Sequence, residues 1–480
     1  MGEPVTLPFL DDYTPDLPVL EGGSNTSYQN CGPSGVINIG RSFATFGAHT
    51  IITATAGIGD LPLGMFSFRA SNGTYYTIGG IDDTLKLVNG ANWTDVSRTA
   101  GGAYATAAGD RWNFAAFGNR VIAVNYTDAT QTYLAGTDTD FSALAATAPK
   151  AKYIDVAGDF VVLGYVNDGT VYPFRVQWCA QGDPTAVWTA SATTQADYQD
   201  MNSNYGVVTG IAGHENGFYV FQERAITPFT YVGSPLVFVR GESIVGEGCV
   251  IPSSLCKAGG SCFFVSSNGI KKFNGSSVEH IGLGKVDQTL WAVHTLSANK
   301  FFTAFADPNY PVVHFSLIFQ STAIALFSYN YVVNKWTYLP TGIMYNYGVI
   351  YNSTYPSGVV AAFENGAYKL GSFTGTALAG IFYTRFFLAS NDGGRGSVSR
   401  VRVISDQAAP TSVSLQTVTS EHLSGSSYST TAMTAVGNNN QYTARVVESV
   451  VFRIQAQIDP WVYTNKLNAV QLLEWSGNKR

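Results

Sequence analysis

The stretch from Met65 to Val96, MFSFRASNGTYYTIGGIDDTLKLVNGANWTDV, decides the fold class. It reads as an apolar FSF, a strand from Tyr75 to Gly79, a strand from Thr84 to Val88 and a last strand at Trp93-Thr94-Asp95-Val96, with turns at Asn72-Gly73, Asp82-Asp83 and Asn89-Gly90. Asn-Gly suits the tight turns between neighbouring antiparallel strands because it tolerates positive φ. Four short strands joined this way make a self-contained antiparallel sheet.

The same grammar returns near Arg111 (WNFAAFGNRVIAVN), Lys152 (YIDVAGDFVVLGYVNDG), Val207 (VTGIAGHENGFYVFQE), Lys257 (AGGSCFFVSSNGIKKFNG), Phe301 (FTAFADPNYPVVHFSL) and Asn346 (YGVIYNSTYPSGVVAAFENG). A separation of about 40 to 55 residues is the period of propeller blades. Trp93, Trp188 and Trp336, with Phe141 in a fourth unit, recur where the outer end of a blade falls. The expected fold is all-β: a β-propeller of six or seven blades over residues 61–375, with a β-sandwich array as the alternative. The uncharged run from Val312 to Asn334 is broken by His314, Ser316, Gln320 and Ser328, and reads as two buried strands, not a membrane span.

Both ends depart from the period. Residues 1–60 are punctuated by Pro and Gly, as in Thr14-Pro15-Asp16-Leu17-Pro18, and read as an extended arm. Residues 376–480 read as a second β domain with strands at Ile381–Leu388, Val401–Ser405, Ser412–Thr419 and Ala444–Gln457, a Gly/Ser/Asn-rich insertion at Ser424–Asn440, and completion by the arm.

Composition agrees. Only 12% of residues are Asp, Glu, Lys or Arg, against roughly 25% in a typical domain, while Gly reaches 50 residues and aromatics 13%. Long surface helices are built from charged residues and Ala, so this balance favours strands and turns. The net charge of −6 with no basic block argues against gripping nucleic acid by counterion release. The first 20 residues carry Glu3, Asp11, Asp12 and Asp16 and no basic n-region, so no signal peptide is expected. Five cysteines, Cys31, Cys179, Cys249, Cys256 and Cys262, point to reduced thiols and synthesis in the cytoplasm.

Catalytic and metal constellations are weak. Cys249, Cys256 and Cys262 with His280 lack the close Cys pairs of structural zinc sites and read as core thiols on adjacent strands. Gly282-Leu283-Gly284-Lys285 has Glu279 where a phosphate loop needs its first Gly, and Val286 in place of Ser or Thr. The histidines His49, His214, His280, His294, His314 and His422 form no metal-ligand spacing. Asp82-Asp83 and Asp138/Asp140 read as turn formers, not glycosidase carboxylates. No catalytic, cofactor-binding or metal-binding residue is assigned, and the chain is not expected to be an enzyme.

One combination is more specific. FRVQWCAQGDPTAVW runs from Phe174 to Trp188; GIAGHENGFYVFQERAITPFTYVG follows from Gly210; Gly246-Glu247-Gly248 and FFVSSNGIKKFNGSSVEHIGLGKVDQTLW from Phe263 complete it. With Tyr13-Thr14-Pro15-Asp16-Leu17-Pro18, Asn30-Cys31-Gly32-Pro33, Phe452-Arg453-Ile454, Trp461 and the closing Gly477-Asn478-Lys479-Arg480, this order resembles the tail hub or nozzle proteins of short-tailed bacteriophages, also called packaged-DNA stabilisation proteins.

The resemblance implies a propeller inserted in a β-sandwich-like platform made from both chain ends. It also implies a structural virion protein of the tail, a homo-hexameric ring that extends the portal and adaptor channel, retains packaged DNA and conducts it during ejection. Its partners would be further copies of itself, the head-to-tail adaptor and portal, and tail needle, fibre or spike proteins, with genomic DNA passing through unbound. The rival expectation is a propeller-type glycan-binding, receptor-binding or glycosidase tail protein.

Overall fold

A computed structural model of the chain describes residues 4–17, 33–39, 43–45, 50–51, 57–90, 92–293, 302–307, 310–319, 323–341, 344–349, 359–364, 367–372, 380–384, 387–388, 395–405, 413–420, 429–436, 441–449, 451–458 and 467–479. Cys31, His49, His294, His422 and Trp461 lie outside them.

The quoted stretch folds as its turns require, into strands Gly64–Arg69, Tyr75–Gly80, Leu85–Asn89 and Asn92–Asp95, each paired antiparallel with the next. Five more sheets follow from consecutive segments, opening with Asn113–Phe117, Lys150–Ala157, Val208–His214, Cys256–Ala258 and Thr303–Ala306. These are blades 1 to 6. A seventh, composite sheet joins Met344–Val349, Val359–Glu364 and Ala367–Ser372 to Thr50–Ile51 of the arm. Its first strand packs between those of blades 6 and 1, so the circle of inner strands closes and the fold is a β-propeller.

Glycine permits the tight circle at two inner positions. A Cβ on Gly213 would run into the Val156 carbonyl of the neighbouring blade, and one on Gly64 into the Trp112 carbonyl. Between blades the apolar faces fuse into shared cores: Ile122, Val162, Trp178, Val220 and Phe238 unite blades 2 to 4, and Phe263, Phe315, Phe327 and Trp336 unite blades 5 and 6. At about 25 cal/mol per Å² of apolar area, burial between blades is the main stabilising term.

The polar-interrupted run forms the hairpin Val312–Phe319 and Ala323–Asn330 of blade 6. No helix among the described residues is long and apolar enough to cross a membrane. The described α-helix is short, Asp287–Val293.

Outside the circle lies a curled nine-stranded sheet. Val5–Pro8 pairs with Leu467–Lys479 at one edge, Gly380–Tyr383 pairs with Val451–Ile458 at the other, and a bridge between Phe9 and Thr384 brings the edges together. Its core holds Phe9, Val36, Phe382, Val401, Leu415, Phe452, Ile454 and Leu472. Phe452, Arg453 and Ile454 are all buried, with the Arg453 guanidinium 4.3 Å from the Tyr383 ring centre. Three details differ from the sequence reading. The insertion at Ser424–Asn440 contains the strand Ser429–Val436; the strand expected over Ala444–Gln457 is two strands, Gln441–Ser449 and Val451–Ile458; and Thr50–Ile51 belongs to the propeller. The first was hidden because only Met433 of that strand is buried, leaving no apolar alternation to read.

Candidate functional site

The inner strands of blades 1 to 5 surround an axial cavity of about 390 Å³, bordered by Phe66, Phe114, Tyr153, Asp155, Thr209 and Lys257. A second cavity of about 150 Å³ lies where the inner strands of blades 2 and 3 begin, walled by Asp110, Arg111, Tyr126, Lys152 and Ser253. Asn113, Tyr153 and Pro252 border both.

Two ion pairs order this axis. Asp155 Oδ2 takes the Lys257 ammonium and also accepts the Gly213 N–H at 2.7 Å, tying blades 3, 4 and 5 together. Lys152 donates to Asp110 Oδ1 at 2.6 Å, and its ammonium lies 4.9 Å and 4.7 Å from the ring centres of Tyr126 and Tyr165. Those rings meet edge to face at 5.3 Å. Both tyrosines have left-handed backbones, φ 69° and 55°, a conformation that costs a non-glycine residue about 1 kcal/mol or more. Tyr165 reaches it at a bulge between Gly164 and Val166. The cation–π contacts and the Asp110 pair offset this strain and fix the Lys152 head in the wall of the smaller cavity.

Elsewhere the polar clusters are structural. Asp307, His314 and Ser328 stand in the order of a catalytic triad, His314 Nε2 3.2 Å from Asp307 Oδ2 and Nδ1 2.8 Å from Ser328 Oγ. His314 and Ser328 are each 1% exposed, so no substrate reaches the hydroxyl, and the group zips neighbouring strands of blade 6. His280 Nε2 lies 2.6 Å from Asp287 Oδ2; burial pushes the Asp287 carboxyl up, against the Ile270 N–H and His280. Sequence spacing missed both pairings because each is made across strands or turns.

The residues weighed from sequence take modest positions. Cys249, Cys256 and Cys262 are buried, Cys256 and Cys262 on adjacent strands. Lys285 bonds Asp12 at 2.7 Å and the Asn334 carbonyl at 2.9 Å, so the loop imitating a phosphate site anchors the arm instead. Asp82 and Asp83 are exposed in their turn, and Asp138 Oδ2 accepts the Leu134 N–H. In the FRVQWCAQGDPTAVW segment, Trp178 and Trp188 are buried, and the Gly-Asp-Pro turn seats Trp188 through its Nε1 bond to the Pro184 carbonyl at 2.9 Å. Among the described residues no cluster of His, Cys, Asp and Glu has the makings of a metal site.

Fold and axis together define a β-propeller protein carrying a second, curled sheet. No protein-family model matches the chain, and no curated protein matches it. A solved structure, described as "YCF48 bound to D1 peptide", is similar over 71% of this chain and 97% of its own, at 10% identity and a TM-score of 0.38.

Proposed function

We propose that this chain is a structural virion protein, the hexameric tail hub or nozzle of a short-tailed bacteriophage, which extends the portal–adaptor channel, retains packaged DNA and conducts it during ejection. The observation that carries the reading is the pairing of Val5–Pro8 with Leu467–Lys479: a propeller inserted between two chain ends that share one sheet is the architecture the motif order implies. The arm and curled sheet would dock to the adaptor and to neighbouring subunits, and no catalytic step is required.

Charge supports the same reading. Six copies of a chain with formal charge −6 surround a lumen that repels phosphates, so the genome slides without adhering. Sparse surface charge suits a subunit that buries much of itself against others, since interface cores are depleted in charged residues.

Mass photometry and negative-stain microscopy of the full chain mixed with the portal–adaptor complex test the proposal. A six-fold ring on the complex is the expected result. A strict monomer under those conditions, or a ring whose lumen is lined by Lys and Arg, defeats it.

A further inference from the structure

We infer that the axial cavity of the propeller is a binding site for a neutral saccharide, which goes beyond the tail-hub reading. Its volume of about 390 Å³ falls within the ~300–1,000 Å³ of small-molecule sites. Its walls are of two kinds. On one side Phe66 and Phe114, packed on each other at 6.1 Å and 16°, make an apolar wall. A pyranose ring offers such a surface its C–H face, as any apolar face packs on aromatic rings.

The other side supplies hydrogen bonds. Tyr153 borders both cavities, and no hydrogen bond to its hydroxyl exists among the described residues. Burial raises its proton affinity, and Cys249, Asp110, Tyr165 and Glu223 act in the same direction, so the phenol stays neutral and keeps its proton to donate. Unpaired buried hydroxyls are costly, and a ligand rich in hydroxyls is the chemistry that relieves them.

Charge selects among polar ligands. Asp155–Lys257 in its wall and Asp110–Lys152 in the smaller cavity beside it are balanced pairs, and Arg111 of the smaller cavity is engaged with other groups of the chain. An ionic ligand therefore gains little net attraction, while each paired carboxylate keeps lone pairs for sugar hydroxyls.

Saturation-transfer NMR and calorimetric titration of the full chain with maltose, cellobiose, lactose and N,N′-diacetylchitobiose test the site, with glucuronic acid and tetra-alanine as charged and peptide probes. At least one neutral disaccharide is expected to bind with a millimolar Kd. Tyr153→Phe should weaken it roughly fivefold with an unchanged melting temperature, and Phe66→Ala should weaken it at least as much. Tyr153→Phe keeps the ring and so carries the test if Phe66→Ala fails to fold. Binding of none of the four, preference for glucuronic acid or the peptide, or wild-type affinity in Tyr153→Phe overturns the inference. A monomer in the ring experiment bears on the hub reading alone, because the cavity lies within one chain.

Discussion

Asp16 caps a helix that begins 271 residues later in the chain: its Oδ1 accepts the Thr289 N–H at 2.9 Å and the Thr289 hydroxyl at 2.6 Å, while its Oδ2 accepts the Gln288 N–H at 2.7 Å. The first amides of a helix have no partner within it, so the arm supplies one from outside. Asp16→Ala should lower stability by about 1–2 kcal/mol, read as a shift in the urea midpoint at constant slope. An unmoved midpoint means the arm is undocked in solution.

Tyr13 locks the same arm. It is fully buried, stacks on Tyr338 at 5.0 Å and 12°, and donates its N–H to the Trp336 carbonyl at 2.8 Å. Tyr13→Ala should cost about 3–5 kcal/mol by calorimetric melting and open the arm to limited proteolysis. Tyr13→Phe, which keeps the ring, should retain most of the stability.

Acid should find Asp128. Burial pushes its carboxyl up, but bonds from the Asn125 amide, the Ala105 N–H and Arg98 outweigh it and hold the group below its usual 3.8. A depressed folded value means a contribution present above about pH 4 and lost as pH falls through the folded value. Asp128→Asn should therefore be less stable than the natural chain at pH 7, with the gap narrowing by pH 3 in urea titrations. A constant gap would show that the bonds act independently of charge.

Thiol chemistry should be silent in the folded chain at four positions. Cys179, Cys249, Cys256 and Cys262 are buried, and burial pushes each thiol up to about 12, leaving almost no thiolate at pH 8. Peptide mapping after iodoacetamide should find all four unmodified natively and alkylated in guanidinium. Native labelling at any of them contradicts this packing.

Arg175 lies between the rings of Tyr172 and Tyr198, 3.6 Å and 3.9 Å from their centres, and forks onto Asp200 at 2.7 Å and 3.0 Å. Lysine keeps the charge but loses the flat fork and the stack. Arg175→Lys should cost about 1 kcal/mol in thermal unfolding, a modest figure because Asp200 is half exposed.

Blade boundaries were legible because they are local. Asn72-Gly73 and Asn89-Gly90 dictate turns whatever else the chain does, and the first strands of blades 2 to 6 begin within two residues of where the repeat places them. The axial site was not legible. Phe66, Phe114, Tyr153, Thr209 and Lys257 come one from each of five blades, and nothing along the chain joins them. The left-handed Tyr126 and Tyr165 carry no signal either, since tyrosine has no preference for that conformation.

The sequence by itself determined an all-β chain of repeating antiparallel units with thiols in its core, because turn chemistry, alternation and composition act over a few residues. Only the tertiary structure decided how the circle closes. Thr50–Ile51 completes the last blade, Val5–Pro8 joins the sheet of the far end, and Asp110 meets Lys152 between two tyrosines. Those pairings depend on backbone edges and charges brought together from distant segments, and an exposed strand edge accepts any partner that geometry delivers.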